Sequence, residues 1–441
     1  MPGEQPSGAD ALYRQLRSPG YLKLLLLSGL LGVPVSLAAF GFVALEHAAQ
    51  NGVWEHLPHA AGFASVPWWW PLPALLVGGV VVAWAVTRLP GRGGHLPVQG
   101  VGGEPILPSA LPGVVLAALA TLSAGAVLGP EAPLMALGGG LALLTVRAAH
   151  RAETPQLTAV LSTAGAAAAI ATIFGSPLVA AVMLIEAVGL GGPQLFLLIL
   201  PCLLSSGVGA LVFTGFGHWT GLSIGALALP TVPPDQLPNA ADFLWGVPLA
   251  ALIACGVVAL MTLGSRVGGW TAERTARRTV ACALAVGACI AGYALITGRS
   301  PEEAALSGQK AMADLAADPS GWPVHVLVLL LLFKGLAWGV SLGSLRGGPV
   351  FPALFLGAAA GVACAALPGF AAAPALAAGM AAGGAAGLRL PVTAIVLTVL
   401  LIGPDAVDQM PLVIIAAVVA FVTGELLRGR LGHPPAGGGL R

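Results

Sequence analysis

Long apolar runs, interrupted at short intervals by Gly and Pro, set the pattern of this chain. Polar sequence up to Ser18 gives way to Leu24–Leu45, long enough to span a bilayer. A loop over Asn51–Trp70 ends in Trp68-Trp69-Trp70, an interfacial aromatic group. The next runs are Pro73–Leu89 and Leu111–Leu144, separated by a Gly-rich break at Gly91–Gly103. Ala159–Phe174 and Leu178–Leu190 are short for upright spans, and Leu195–Phe213 follows them. After a Pro-containing loop, Gly215–Asn239, come Trp245–Leu263, Val280–Ile296 and Val324–Val340. A second Gly-rich break, Gly343–Gly348, precedes Phe351–Leu367, Ala371–Leu388, Val392–Leu401 and Leu412–Leu427. Short apolar segments broken by Gly and Pro are tolerated in a membrane only where protein buries them or a cavity wets them. The pattern therefore predicts an all-α polytopic membrane protein with broken and re-entrant helices.

Composition agrees. Of 441 residues, 57% are hydrophobic and 8% charged, and mean hydropathy is +0.91. Soluble domains carry about 25% charged residues. Net charge +1 gives no reason to expect nucleic acid binding. The five cysteines, Cys202, Cys255, Cys282, Cys289 and Cys364, lie in apolar sequence without metal-ligand spacing and are expected to be small packing residues. The first apolar run follows a polar stretch, so it is expected to be a retained span and not a cleaved signal. Loops near residues 147, 266 and 428 and the N-terminus are basic, while those near 55, 235, 302 and 405 are neutral or acidic. The positive-inside rule then puts both termini in the cytoplasm of a cell-membrane protein.

One carboxylate stands out. Glu131, Glu153 and Glu186 are the acidic residues between Pro105 and Pro234, and Glu131 lies in the apolar run Val127-Leu128-Gly129-Pro130-Glu131-Ala132-Pro133-Leu134. Carboxylates at bilayer depth are costly and usually face a wet pathway. Proline fits a first helical turn and breaks a helix interior, so Pro130 and Pro133 place a helix start here. Such a start presents unpaired N–H groups and the positive end of a dipole, which is an anion site.

The stretch has an echo. Gly129-Pro-Glu-Ala-Pro133 with Gly138 is repeated as Gly348-Pro-Val-Phe-Pro352 with Gly357. Ser176-Pro177-Leu-Val-Ala is repeated as Leu390-Pro391-Val-Thr-Ala. The offsets, 219 and 214 residues, are nearly in phase. Matching broken helices in two halves point to inverted repeats with the binding site where the half-helices meet. The expected division is a tail and interfacial helix over 1–22, membrane halves over 23–214 and 215–429, and a C-terminal tail over 430–441.

At these residues the chain resembles the CLC family of chloride channels and chloride/proton exchangers. The GxEGP pattern corresponds to Gly129–Pro133, GxFxP to Gly348–Pro352, and GSGIP loosely to Gly93-Gly94-His95-Leu96-Pro97. Ser176-Pro177-Leu178 leading to Glu186, and Gly387–Thr393, also match. The resemblance implies a homodimer in the bilayer with an anion pathway in each subunit and no cofactor. Glu131 would be the gating glutamate, competing with the anion when charged and yielding when protonated. The implied anion-binding residues are Gly94, His95, Gly129, Glu131, Ala132, Gly348, Val350 and Phe351. Desolvation and helix dipoles act on such a carboxylate in opposite senses, which suits proton exchange.

Several departures bear on mechanism. Gly94 stands where the family has a filter serine, and Pro349 has no N–H to offer. The tyrosines are Tyr13, Tyr21 and Tyr293, and Gly429 falls near the place of the family's pore tyrosine. Ala187 aligns with the exchangers' inner proton glutamate, next to Glu186, which either substitutes for it or pairs with a residue such as Arg389. Lys334 and Arg346 flank the second break and either raise the potential of a vestibule or snorkel to the headgroups. The expected function is passage of chloride or another small anion, gated by Glu131. A proton antiporter, a carrier of fluoride or nitrate, and a non-conducting scaffold or sensor are the alternatives. No HExxH motif or P-loop occurs, and an enzyme is not expected.

Overall fold

In a computed structural model of the chain, residues 13–100, 105–148, 154–188, 193–220, 229, 237–403 and 406–431 are described. Most of the expected N- and C-terminal tails, part of the basic loop near 147 and most of the Gly215–Asn239 loop lie outside them. Every regular element among the described residues is helical. The helices used below are α1 (Pro19–Asn51), α2 (Pro71–Arg88), α3 (Leu111–Ser123), α4 (Glu131–Ala148), α5 (Pro155–Phe174), α6 (Pro177–Val188) and α7 (Pro193–Thr220). They continue with α8 (Ala240–Glu273), α9 (Thr275–Thr297), α10 (Gln309–Ala317), α11 (Val324–Ser344), α12 (Val350–Cys364), α13 (Ala372–Leu388), α14 (Pro391–Ile402) and α15 (Ala406–Arg430).

Among the described residues eight helices are long and apolar enough to cross a membrane. Large apolar side chains such as Leu26, Leu30, Val77, Leu211, Leu252 and Leu426 stand exposed on them. A surface of this kind suits lipid, because exposed apolar patches this extensive are rare on water-soluble monomers. The protein is a multi-pass membrane protein.

Several boundaries differ from expectation. Asn51–Trp70 is not all loop: α1 runs on through a π-helical turn at Gly52–His56 to Ala60, a continuous helix of 42 residues. Arg266 lies inside α8, which ends only at Glu273. The α7 helix extends to Thr220, beyond the expected end at Phe213. The acidic segment after Thr297 contains its own helix, α10, whose Ala311, Met312 and Leu315 are buried. In α1, α8 and α10 polar residues lie on helix turns whose opposite face is packed, a tertiary effect that hydropathy windows average away.

The chain forms two compact units. One comprises residues 1–43, 104–111 and 134–226; the other comprises 44–103, 112–133 and 227–441. Within the first, the early part of α1 packs on α7 through small and hydroxyl residues. Ser36 Oγ donates to Gly209 O at 2.8 Å and lies 3.1 Å from Thr172 Oγ1. The α4 and α5 backbones meet at Gly138 and Gly165, and a methyl group at either would strike the other's carbonyl. Small residues drive close helix packing where lipid gives no hydrophobic push.

The second unit uses the same device at α12 and α13. Gly357 and Gly361 face Gly379 and Gly383, so the two backbones touch. A Cβ at Gly357 would overlap the Gly379 carbonyl. Gly357→Val should therefore force the helices apart and cost about 1–3 kcal/mol by overpacking. A fall in melting temperature of the detergent-solubilised protein is the expected readout, with Gly256→Ala, where open space surrounds the added methyl, as the unaffected control. A capping box starts α8: the Asn239 side chain accepts from Ala241 N–H and Asp242 N–H, and Asp242 Oδ2 accepts from Asn239 N–H. The buried Asp242 also accepts from Ala371 N–H at 3.0 Å, tying α8 to the start of α13.

Candidate anion site

After α3 ends at Ser123 the chain turns at Ala124–Gly125 and passes through a bend to Pro130. Gly125 has φ +98°, and the Trp54 ring packs where its side chain would be. Gly129 then pairs with Gly348: Gly129 N–H donates to Gly348 O at 2.8 Å and Gly348 N–H to Gly129 O at 2.6 Å. This isolated antiparallel bridge joins the two repeated GP turns back to back. Each turn then enters a helix, α4 at Glu131 and α12 at Val350.

The sequence explains why the two helix starts are alike. The prolines at 133 and 352 occupy the third helical position and carry no N–H. The first N–H groups of a helix have no intrahelical partner. Ahead of those prolines, α4 presents the N–H groups of Glu131 and Ala132, and α12 those of Val350 and Phe351. Pro349 precedes Val350 at the N-cap with φ −88° and adds no donor.

The Glu131 side chain lies across the start of α12. Its Oε1 accepts from Val350 N–H at 2.5 Å. The N–H groups of Phe351 and of Glu131 itself face the same carboxylate. Oε2 makes no hydrogen bond of normal geometry, and the residue is 0% exposed. No Lys or Arg forms an ion pair with it among the described residues. Two helix N-termini are thus the positive groups that stabilise it. A Cβ at Gly129 or Gly348 would land on this carboxylate, so both glycines are there to let it in.

The sequence expectations divide. Gly129, Glu131, Ala132, Gly348, Val350 and Phe351 fall on one bridge and the two helix starts beside it. Gly94 and His95 belong to a different loop. Gly94 has φ +88° and its N–H donates to Gly91 O at 2.9 Å, within its own turn; the His95 side chain is exposed. Glu186 sits near the end of α6, half-buried, in the other compact unit. Arg389, offered by the sequence as its partner, makes a bidentate pair with Glu425 at 2.9 and 3.0 Å. Tyr21 donates to Leu197 O at 3.3 Å and Tyr293 to Glu303 Oε2. Both buried tyrosine hydroxyls are engaged away from Glu131.

The two cations flanking the second break correct the sequence reading. Both are buried, so neither snorkels to the headgroups. Lys334 is 0% exposed, and its Nζ donates to Ala305 O at 2.7 Å, Glu303 O at 3.2 Å and Leu306 O at 3.3 Å. The ammonium also lies 5.0 Å from the centre of the Phe355 ring on α12. Leu306, at φ +59°, donates its N–H to Gly125 O at 3.1 Å. Lys334 thus braces the segment that leads into Glu131. Arg346 is buried against the carbonyls of Arg92 and Leu345. The signal for both was present: single cations inside apolar runs need partners. Backbone carbonyls supplied them, and a sequence does not reveal where carbonyls converge.

Residues 78–425 match the family described as voltage gated chloride channel. That stretch is most of the chain. The chain belongs to the voltage-gated chloride channel family. Curated relatives include "Putative ion-transport protein YfeO" of Escherichia coli (strain SE11) and its counterpart in Shigella flexneri serotype 5b. Each is 28% identical over 329 residues, 74% of this chain and 74% of the relative. Among solved structures, a slow cyanobacterial Cl−/H+ antiporter superposes with a TM-score of 0.75 at 21% identity, covering 92% of this chain and 95% of its own. A CLC-type fluoride/proton antiporter superposes with a TM-score of 0.71 at 18% identity, covering 91% and 95%. The family's fold is therefore the fold of this chain.

Proposed function

We propose that this protein carries a small monovalent anion, chloride first among them, through a pathway that Glu131 gates. The observation that carries this is the Glu131 carboxylate resting on the N–H groups at the start of α12, beside the start of α4. A carboxylate held there occupies the place that backbone N–H groups and helix dipoles prepare for an anion. Protonation removes its charge, and a charge-assisted bond of roughly 1.5–3 kcal/mol becomes an ordinary one. The side chain can then leave, and the N–H groups of Val350, Phe351, Glu131 and Ala132 accept the anion, with Gly129 and Gly348 allowing close approach. The plug is a titratable side chain, which favours a gate over the permanently closed filter of a scaffold.

The rest of the proposal is architectural. Two membrane halves over 23–214 and 215–429 pair through the Gly129–Gly348 bridge, two copies form a homodimer in the bilayer, and both termini face the cytoplasm. The loop carrying Gly94 and His95 then lies on the cytoplasmic side. A proton antiporter is the second reading, favoured by the half-buried carboxylate of Glu186 on α6. Fluoride and nitrate are the alternative cargoes.

Purified protein in proteoliposomes loaded with chloride, fluoride, nitrate or bromide and an internal pH dye tests these readings together. Anion efflux is expected. Efflux that drives proton movement selects the antiporter, and efflux without it selects the channel. Absence of efflux for all four anions from folded protein would defeat the transport reading.

A further inference from the structure

Arg346 is a buried charge without a carboxylate. Its side chain is 7% exposed, and among the described residues no Asp or Glu pairs with it. Its Nε and Nη2 donate to Arg92 O at 3.3 and 3.1 Å, and Nη1 donates to Leu345 O at 3.1 Å. The backbone N–H of Arg346 donates to Thr121 Oγ1 at 3.3 Å on α3. A guanidinium has five N–H groups. These contacts use three, leaving one on each terminal nitrogen.

Carbonyls satisfy donors but bring no net negative charge. Desolvating a cation costs several kcal/mol even after relaxation, and an anion close by is the ordinary remedy. Lys334 differs, because three carbonyls take all three of its ammonium protons. Arg346 also sits in a telling place. It is four residues before Val350, in the turn that forms the filter bridge. A methyl group at Gly93 would stand 3.3 Å from its Nε, so the guanidinium lies against the Gly93–Gly94 turn. On that turn Gly94 spends its N–H internally, and Pro349 has none. Backbone donors are therefore scarce where the guanidinium is close. Arg92 and His95, on the loop the guanidinium packs against, are exposed.

We propose that the Arg346 guanidinium is an anion-binding group of the pathway, holding the anion between the Arg92–His95 loop and the Gly347–Pro349 turn. This rests on the transport reading and deepens it. It gives the pathway a second binding point, built on a side-chain cation, apart from the helix N-termini that hold Glu131. An anion leaving the α12 N-terminus then finds a compensated site before it reaches solvent. The guanidinium stays charged at any physiological pH, so this point, unlike the Glu131 position, does not titrate.

The test is a crystal of the wild-type protein soaked in bromide, read by anomalous scattering. Bromide density within about 3.5 Å of Nη1 or Nη2 is expected. Bromide calorimetry on Arg346→Gln should show affinity at least about tenfold weaker, the equivalent of 1.4 kcal/mol. Arg346→Lys should retain most of the affinity. Density elsewhere with none at Arg346, or unchanged bromide affinity in a folded Arg346→Gln, overturns the proposal. If Arg346→Gln does not fold, the wild-type density and the Arg346→Lys titration decide. Flux in wild type without bromide at Arg346 sinks this inference alone. Bromide at Arg346 without flux for any anion sinks the transport reading and leaves the binding site.

Discussion

Glu131→Gln should transport anions at all pH values and move no protons with them. The amide keeps the shape of the side chain and removes the charge that holds it on Val350 N–H. In the wild type, falling pH protonates the carboxylate, frees the start of α12 and raises flux. In the variant there is no carboxylate to protonate. Flux through the wild type should rise at least about tenfold between pH 7.5 and 4.5, which corresponds to 1.36 kcal/mol. The variant should change by less than about twofold over the same range. Chloride efflux from proteoliposomes, recorded with an internal pH dye, checks both statements. A variant that keeps the wild-type pH profile would remove Glu131 from the gate.

Lys334→Met should cost about 2–4 kcal/mol of stability. The substitution preserves volume and removes the desolvation cost of the ammonium. It also leaves the carbonyls of Glu303, Ala305 and Leu306 without their shared donor. Buried acceptors left unpaired cost about 1–3 kcal/mol each, which outweighs the recovered desolvation. Replacing both sides of a buried polar contact can be neutral, but replacing one side is not. The functional effect follows the same chain of contacts. Leu306 donates to Gly125, and Gly125 lies in the turn that leads from α3 to Glu131. Loosening it should slow anion flux even in vesicles where the variant is folded. Thermal unfolding in detergent measures the first effect and efflux the second. A variant as stable and as fast as the wild type would show that Lys334 only fills space.

The sequence was informative where chemistry and backbone coincide. Proline at 130, 133, 349 and 352 fixed where the two filter helices start, because proline has few places to go in a membrane helix. The repeat of GPxxP linked those starts, and the Gly129–Gly348 bridge is the contact that the repeat implied without specifying. Glu131 was conspicuous because a carboxylate among leucines needs a reason. Partners were harder to read. Lys334, Arg346 and Arg389 each had a plausible role on paper, and each found a partner set by tertiary contacts: three carbonyls, two carbonyls and Glu425. Helix ends were also poorly legible. The polar turns of α1 beyond Asn51 and of α8 beyond Leu263 resemble loops in a hydropathy profile, yet helices extend past the apolar core there. Gly94 and His95 lie on a separate turn, which uses the Gly94 N–H internally.

The central claim is that the Glu131 carboxylate and the transported anion compete for the N–H groups at the start of α12. Calorimetric titration of bromide into purified protein at pH 7.5 and pH 4.5, with Glu131→Gln as the reference, tests it most directly. Wild-type affinity should rise at the lower pH, toward that of the variant, while the variant's affinity stays the same at both. Wild-type affinity that does not change with pH, or that changes equally in Glu131→Gln, would contradict the competition and with it the gate.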